Sequence, residues 1–201
     1  MSNSNSTNII PPNPPLVKGG GRDFSGANSK TISDASSMRG DTTSLQKIVI
    51  LGIGNLLLSD EGVGVHVANE LMKMELPPEV SVVEGGTDGF RLIDVITEAD
   101  YLIVIDSVRG EAAPGSIYRF DIDEVRNCPP GFKTSVHQIG ILDVIDMSGL
   151  IGKKPHTTII GIEPKSLEMG MELSPEVKAK IPRIIELIWD ELKQFQNKRI
   201  G

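Results

Sequence analysis

Cysteines, basic patches and long apolar runs are scarce in this chain, and each shortage excludes a class of protein. The single cysteine, Cys128, allows no intramolecular disulfide and cannot build a thiolate metal site, and with no base near it in sequence we interpret it as an inert thiol. No apolar segment is long enough for a signal peptide or a membrane span. The formal net charge of -7, without a basic patch, argues against nucleic acid as a partner. We therefore expect a cytoplasmic protein that binds neither membranes nor nucleic acids.

The composition changes near residue 45. Residues 1–45 are rich in Ser, Asn, Gly and Pro and hold no periodic apolar run, which predicts a disordered N-terminal tail. In residues 46–201, short β-branched runs alternate with amphipathic segments, a pattern typical of a parallel sheet covered by helices on both faces. The sequence therefore predicts one α/β domain after the tail.

The apolar pattern also places the elements of that domain. Strands are predicted at residues 47–53, 80–84, 101–106, 116–121 and 157–163. One helix is expected after Glu61, with Val63, Val67, Leu71 and Met74 on its buried side, and another from Gly89. A third begins at a cap formed by Ser135, and the last begins at Ser174-Pro175 and is expected to kink at Pro182.

The first candidate site is the loop between the first strand and the first helix, at the carboxyl edge of the predicted sheet. It begins like a dinucleotide fingerprint, but Leu57 stands where a third glycine is needed. Asp60 and Glu61 stand where a pyrophosphate would bind, and two acids disfavour phosphate. A purely structural interpretation stays open, in which Asp60 caps the helix and Glu61 interacts with its dipole.

Two later residues extend this candidate site. Asp106 closes the third predicted strand, at the edge where open α/β sheets bind ligands, although it is equally well placed to cap a turn. His137 falls in the first turn of a predicted helix, where the positive field favours a neutral imidazole able to ligate metal, although a surface role is the alternative. Two carboxylates and one imidazole are sufficient to hold a divalent metal such as zinc or nickel.

Known hydrolase motifs are missing. The sequence has no His-Glu-x-x-His helix, which excludes a thermolysin-like zinc protease, and no Gly-x-Ser-x-Gly elbow for a serine hydrolase.

A set of short motifs nevertheless makes the chain recognisable. They are Gly52-x-Gly54-Asn55-x-Leu57-Leu58-x-Asp60-Glu61-Gly62-x-Gly64-Val65, Gly85-Gly86-Thr87, Asp106, Ser135-x-His137-Gln138-x-Gly140 and Gly161-Ile162-Glu163-Pro164. From about residue 47 to the last helix, the chain resembles the hydrogenase maturation protease family. These endopeptidases trim the C-terminus of nickel-iron hydrogenase large subunits.

The resemblance implies a fold, a site and a partner. The fold would be a three-layer α/β arrangement with a twisted, five-stranded, mostly parallel sheet, in which the strand at 116–121 is antiparallel. The family's metal-contacting acid, second acid and histidine fall on Glu61, Asp106 and His137, and the segment Glu84, Gly85, Gly86 and Thr87 is expected to bind substrate. The implied partner is the nickel-loaded precursor of a hydrogenase large subunit, recognised through its nickel or through another divalent metal at the same site.

Several alternatives stay open. Glu61 and Asp106 could only hold the substrate's nickel, could form a catalytic carboxylate pair that activates water as in aspartic-type proteolysis, or could hold a catalytic metal of the protein itself. A rival function is a non-catalytic, nickel-sensing chaperone of the large subunit, and a weaker rival is a dinucleotide-binding module. Two features depart from the family pattern, namely Glu84 in place of the usual aspartate and the long leading segment.

Overall fold

The computed structural model describes residues 46–87, 89–126, 133–134 and 136–198. The predicted tail (residues 1–45), Cys128 and the capping residue Ser135 lie outside the described residues, so the predictions made for them stay predictions. Within the described ranges, no helix combines the length and apolarity that crossing a bilayer requires.

Five strands form the main path of one sheet, in which the first strand of the chain lies between the second and the third, and the sixth and then the fourth follow the third. Strands β1 (Ile48–Ile53), β2 (Val80–Gly86), β3 (Tyr101–Arg109) and β6 (His156–Ile162) are parallel, and β4 (Ile117–Asp121) is antiparallel to β6. A short additional strand, β5 (Lys133–Thr134), pairs antiparallel with the end of β3. The predicted mixed sheet, including its antiparallel strand, is confirmed, with strand ends displaced by a few residues.

Helices connect these strands. They are α1 (Val63–Leu71), α2 (Ile93–Glu98), α3 (Ile122–Arg126), α4 (Val136–Ile151), α5 (Pro175–Lys178) and α6 (Ile181–Lys198). Short 3-10 helices, Ser59–Gly62 and Gly89–Leu92, lead directly into α1 and α2.

The core lies on both faces of the sheet because side chains alternate along each strand. Ile48 and Ile50 of β1 belong to a buried cluster with residues of α1 and α6. Val49 and Leu51 belong to a second cluster with residues of α2 and α4. Strands covered on both faces need continuous apolar runs, which explains why β1 carries no polar side chain.

Two helix predictions are wrong in detail. The prediction that Met74 lies on the buried side of the first helix is wrong, because α1 ends at Leu71 and Met74 is 40% exposed. The last helix was expected to run from Pro175 with a kink at Pro182, but it is two helices. Pro182 is the second residue of α6, where its missing N–H would have no intrahelical acceptor, so the proline favours a new helix start.

Candidate active site

The loop that joins β1 to α1 is packed directly on the ends of the strands. Gly54 has φ 141°, and a Cβ there would lie 1.9 Å from the carbonyl oxygen of Glu61. A Cβ at Gly64 would lie 2.2 Å from the carbonyl oxygens of both Ile53 and Ile105. The space beside these two glycines is therefore filled by the protein's own backbone. This packing argues against a bound pyrophosphate and against the dinucleotide alternative.

This packing brings the two candidate acids to one edge of the sheet. Glu61 precedes Gly64 by one turn, and Asp106 directly follows Ile105, which Gly64 contacts. Because the chain passes from β1 to β2 on one side and then to β3 on the other, the crevice outside the carboxyl ends of β1 and β3 is a topological switch point. Open α/β sheets bind their ligands at such a crevice.

Asp106 itself is not at a strand end. β3 continues through Arg109, so the predicted end at Asp106 and the turn-capping alternative are both wrong. Pairing between β3 and β1 does stop at Ile105, while Asp106 still pairs with Gly161 of β6. Asp106 thus lies just beyond the last β1–β3 pair, with its side chain fully buried and its Oδ1 accepting the N–H of Ser107 at 2.7 Å.

Glu61 is also buried, with 7% of its surface exposed. Buried carboxylates at the ligand-binding edge of an open α/β sheet are candidate functional groups. The metal contact predicted for Glu61 and Asp106 stays a prediction.

Asp60, the neighbour of Glu61, does not have the helix-capping role that its position in sequence indicates. It is fully buried and caps neither the 3-10 helix nor α1. Its Oδ2 accepts the backbone N–H groups of Lys165 (2.8 Å) and Ser166 (3.0 Å), and its Oδ1 accepts that of Ser174 (2.7 Å). The capping interpretation is therefore wrong, and Asp60 fastens segment 165–174 to the loop that carries Glu61.

The backbone at His137 follows the prediction, because α4 begins at Val136. Strand β5 ends at Thr134, which pairs with Val108 of β3, so the start of α4 lies near the same edge as Asp106. The side chain of His137 lies outside the described residues. Within the described part of the chain, no group of three or more His, Cys, Asp or Glu side chains could hold a metal ion, and the three-residue set stays a prediction.

The predicted substrate-binding segment lines a groove of about 680 Å³ beside the loop. Glu84, Gly85, Gly86 and Thr87 contribute to its wall, and its other lining residues include Gly54, Asn55, Leu56 and Arg91. Gly86 has φ 54°, and an added Cβ there would meet nothing within 4 Å, so its backbone faces open space. Segment 84–87 is thus an accessible, side-chain-poor surface beside Gly54, and its binding of substrate stays a prediction.

Glu163 is a buried acid whose role sequence reasoning missed. Its Oε2 accepts hydrogen bonds from the N–H of Gly110 (2.7 Å), the N–H of Ala112 (3.4 Å) and the hydroxyl of Tyr118 (2.5 Å). Burial raises the pKa of Tyr118, and the hydrogen bond to Glu163 raises it further. Glu163 thus holds the chain that follows β3. Its place in the motif Gly161-Ile162-Glu163-Pro164 was the only available signal, and the motif gave no partner.

Residues 65–191 match the model of the hydrogenase maturation protease family. This chain belongs to that family. The hydrogenase expression/formation protein HupD of Thiocapsa roseopersicina is 37% identical over 152 residues, which cover 74% of this chain and 69% of that protein. The hydrogenase 2 maturation protease of Escherichia coli K12 is 35% identical over 153 residues, which cover 74% of this chain and 92% of that protein.

Solved structures of maturation proteases share the fold. The hydrogenase maturating endopeptidase HybD of E. coli matches with a TM-score of 0.68 and 33% identity, over 74% of this chain and 93% of that one. The [NiFe] hydrogenase maturation protease HybD of Thermococcus kodakarensis matches with a TM-score of 0.64 and 28% identity, over 72% of this chain and 98% of that one. The predictions of family and endopeptidase class are confirmed for this maturation protease, whereas its aspartic or metal-dependent mechanism and its link to nickel stay predictions.

Proposed function

We propose that this protease removes the C-terminal extension of a nickel-iron hydrogenase large subunit after nickel has been inserted into the precursor. The observation that carries the proposal is the pair of buried carboxylates, Glu61 and Asp106, at the switch point of the sheet beside a groove of peptide size. The names of the relatives, which are hydrogenase maturation proteases and endopeptidases, support the same reaction.

The substrate's nickel is the cation that this crevice is proposed to meet. Glu61, Asp106 and His137 would contact the nickel, or another divalent metal in its place, because carboxylate oxygen and imidazole nitrogen both suit such ions. The metal arrives with the precursor and leaves with the product, so recognition requires a site that is complete only when the loaded precursor is bound. A precursor without nickel would lack the proposed metal contacts to Glu61, Asp106 and His137 and would therefore bind poorly.

Asp106 is the residue proposed to activate water. Its orientation is fixed because Oδ1 accepts the N–H of Ser107 and because β3 holds its backbone on β6. As a general base it would take a proton from water while the water oxygen adds to the scissile carbonyl carbon. The proton would then pass to the departing amine as the C–N bond breaks. Glu61, His137 and Asp106 would all contact the nickel. Asp106 would in addition carry out the catalytic step.

The tail of the precursor would occupy the groove lined by segment 84–87. Gly85 and Gly86 present backbone rather than side chain, which suits an extended peptide that binds through its own N–H and C=O groups. Glu84 is exposed at this wall and is one methylene longer than the aspartate usual in the family, so it would contact the tail farther from the strand.

A cleavage assay tests the proposal and separates it from the chaperone alternative. The purified chain is incubated with nickel-loaded precursor and, in parallel, with the same precursor prepared without nickel, and released peptide is detected by mass spectrometry. We expect a single C-terminal peptide from the loaded precursor only. Stable binding of the loaded precursor with no released peptide would instead establish the chaperone, and equal cleavage of both precursors would contradict recognition through nickel.

A further inference from the structure

Exposed apolar side chains gather at one place beside the candidate active site. Leu57, Met169 and Met171 are 58%, 87% and 64% exposed, and we refer to these three residues as the Leu-Met patch. The other large apolar side chains that are exposed among the described residues lie at the C-terminal ends of α1 and α4. Contiguous exposed apolar surface on a globular protein often marks an interaction site, and methionine is frequent at such surfaces because it adapts its shape.

The three residues of the patch are brought close together because two distant segments pair there. The N–H of Gly170 donates to the carbonyl oxygen of Leu57 at 3.0 Å, and the N–H of Ser59 donates to the carbonyl oxygen of Gly170 at 2.7 Å. Met169 and Met171 flank Gly170, so their backbones lie beside Leu57. The Oγ of Ser59 also donates to the carbonyl oxygen of Glu168 at 2.9 Å, which adds a third link between the segments.

The buried acid Asp60 holds this surface in place. Its side chain accepts three backbone N–H groups from segment 165–174, and its own N–H donates to the carbonyl oxygen of Ser166 at 3.1 Å. An exposed apolar segment without such links would sample many conformations and lose that freedom on binding. A fixed backbone lowers the entropy lost when a partner binds, so the patch is pre-organised.

We propose that the Leu-Met patch docks an apolar surface on the folded body of the large-subunit precursor, next to the tail to be cleaved. This inference rests on the proposed function. Asn55 and Leu56 line the groove, and Leu57 follows them directly, so the same loop contributes to both the groove and the patch. Because the precursor's tail would lie in the groove, its body would meet the adjoining surface.

The charges around the patch define its partner further. Glu168 is exposed on the patch segment, and the chain carries a formal net charge of -7. A second copy of this chain would bring the same negative charge to the contact, which opposes self-association. We therefore expect the precursor's contact surface to be apolar at its centre and basic at its rim.

The test compares two sets of serine substitutions at surface sites. The patch variant carries Leu57→Ser, Met169→Ser and Met171→Ser. The control variant carries Leu150→Ser and Ile151→Ser, whose side chains are 87% and 64% exposed at the C-terminal end of α4, and so matches the solvent exposure of the two methionines. Steady-state cleavage of nickel-loaded precursor gives kcat and KM, and co-purification of the same precursor gives binding without reference to cleavage.

We expect the patch variant to raise KM and weaken co-purification by about tenfold, with kcat unchanged, since loss of an apolar docking surface acts on binding. The control should stay within about twofold of the wild type. Unchanged KM and co-purification in the patch variant, or an equal loss in the control, would overturn the proposal. Light scattering gives the oligomeric state of both proteins. A dimeric wild type together with a monomeric patch variant would also overturn the proposal, because the patch would then mediate self-association. Patch-dependent co-purification with no peptide released by the wild type would support docking while rejecting the protease function.

Discussion

Buried acids lie at two regions of the sheet, and their partners differ. At the β4 side, Glu191 of α6 is buried and accepts hydrogen bonds from Nε and Nη2 of Arg119 at 2.5 and 3.1 Å. The hydrogen bond to Glu191 raises the pKa of the Arg119 guanidinium. At the carboxyl edge, Asp60 is matched by three backbone N–H groups, and Asp106 by the N–H of Ser107.

This contrast shows that burial alone does not distinguish a structural acid from a functional one. Glu191 and Asp60 have partners from distant parts of the chain, and these partners account for their burial. Glu61 and Asp106 lie at the carboxyl edge beside the switch point, where the proposed function places the substrate's nickel. The contrast predicts that structural acids control stability and that Asp106 controls turnover.

The largest expected effect is on turnover. Asp106→Asn keeps the size of the side chain but removes the general base, so we expect kcat for nickel-loaded precursor to fall by about 10² to 10⁴. Co-purification of the precursor should fall much less. Glu191→Gln is the matched control at the other region and should leave kcat near that of the wild type. Full cleavage by Asp106→Asn would reject its catalytic role and leave the family assignment intact.

The next effect is on stability. Asp60→Asn removes the charge from three hydrogen bonds and turns an NH₂ donor toward backbone N–H groups. We therefore expect the free energy of unfolding to fall by about 2–4 kcal/mol. Urea denaturation measures this change. Asp94→Asn, an exposed acid on α2, serves as the control and should change stability by less than about 0.5 kcal/mol. An unchanged urea midpoint in Asp60→Asn would contradict the structural role.

Two histidine substitutions, one at the proposed site and one away from it, test the same contrast for binding of the precursor. His137→Ala should weaken nickel-dependent binding of the precursor by about a hundredfold, because it removes a proposed imidazole contact to the metal. His156→Ala is the control, since His156 is exposed at the start of β6, at the opposite end of that strand from the carboxyl edge. Isothermal titration with loaded and nickel-free precursor measures both variants, and equal losses would remove His137 from the site.

A smaller effect is expected at the β4 side. Arg119→Met leaves the buried Glu191 without its guanidinium partner and should lower the free energy of unfolding. Because Arg119 is partly exposed to water, which weakens the ion pair, we expect a decrease of about 2 kcal/mol. Adding Glu191→Leu should recover most of this stability, since replacing both partners removes the unpaired charge. A double-mutant cycle in urea measures the coupling, and additive losses would show that the pair does not act as a unit.

The smallest effect is expected from the leading segment. Deletion of residues 1–44 should change neither the melting temperature nor the cleavage rate, because the segment has no apolar pattern able to dock on a core. A drop of several degrees in melting temperature would contradict this expectation.

The sequence by itself determined the strands and the family, because both depend on residues that lie close together along the chain. Runs of apolar residues placed the strands of the sheet, because a strand buried on both faces must be apolar throughout. The spacing of Gly52, Gly54 and Gly64 and the acids at 60, 61 and 106 identified the family and directed attention to the carboxyl edge. The resemblance to the family implied that segment 84–87 binds substrate, and the structure has a groove along this segment.

Only the tertiary structure decided the role of Asp60. Asp60 and Glu61 are adjacent in sequence, yet the partners of Asp60 lie more than a hundred residues away, at Lys165, Ser166 and Ser174. The extension of β3 beyond Asp106 likewise depends on pairing with β6 and β5, which no local preference of residues 107–109 indicates. Hydrogen bonds between distant segments leave no periodic trace in sequence, because their geometry exists only once the chain has folded.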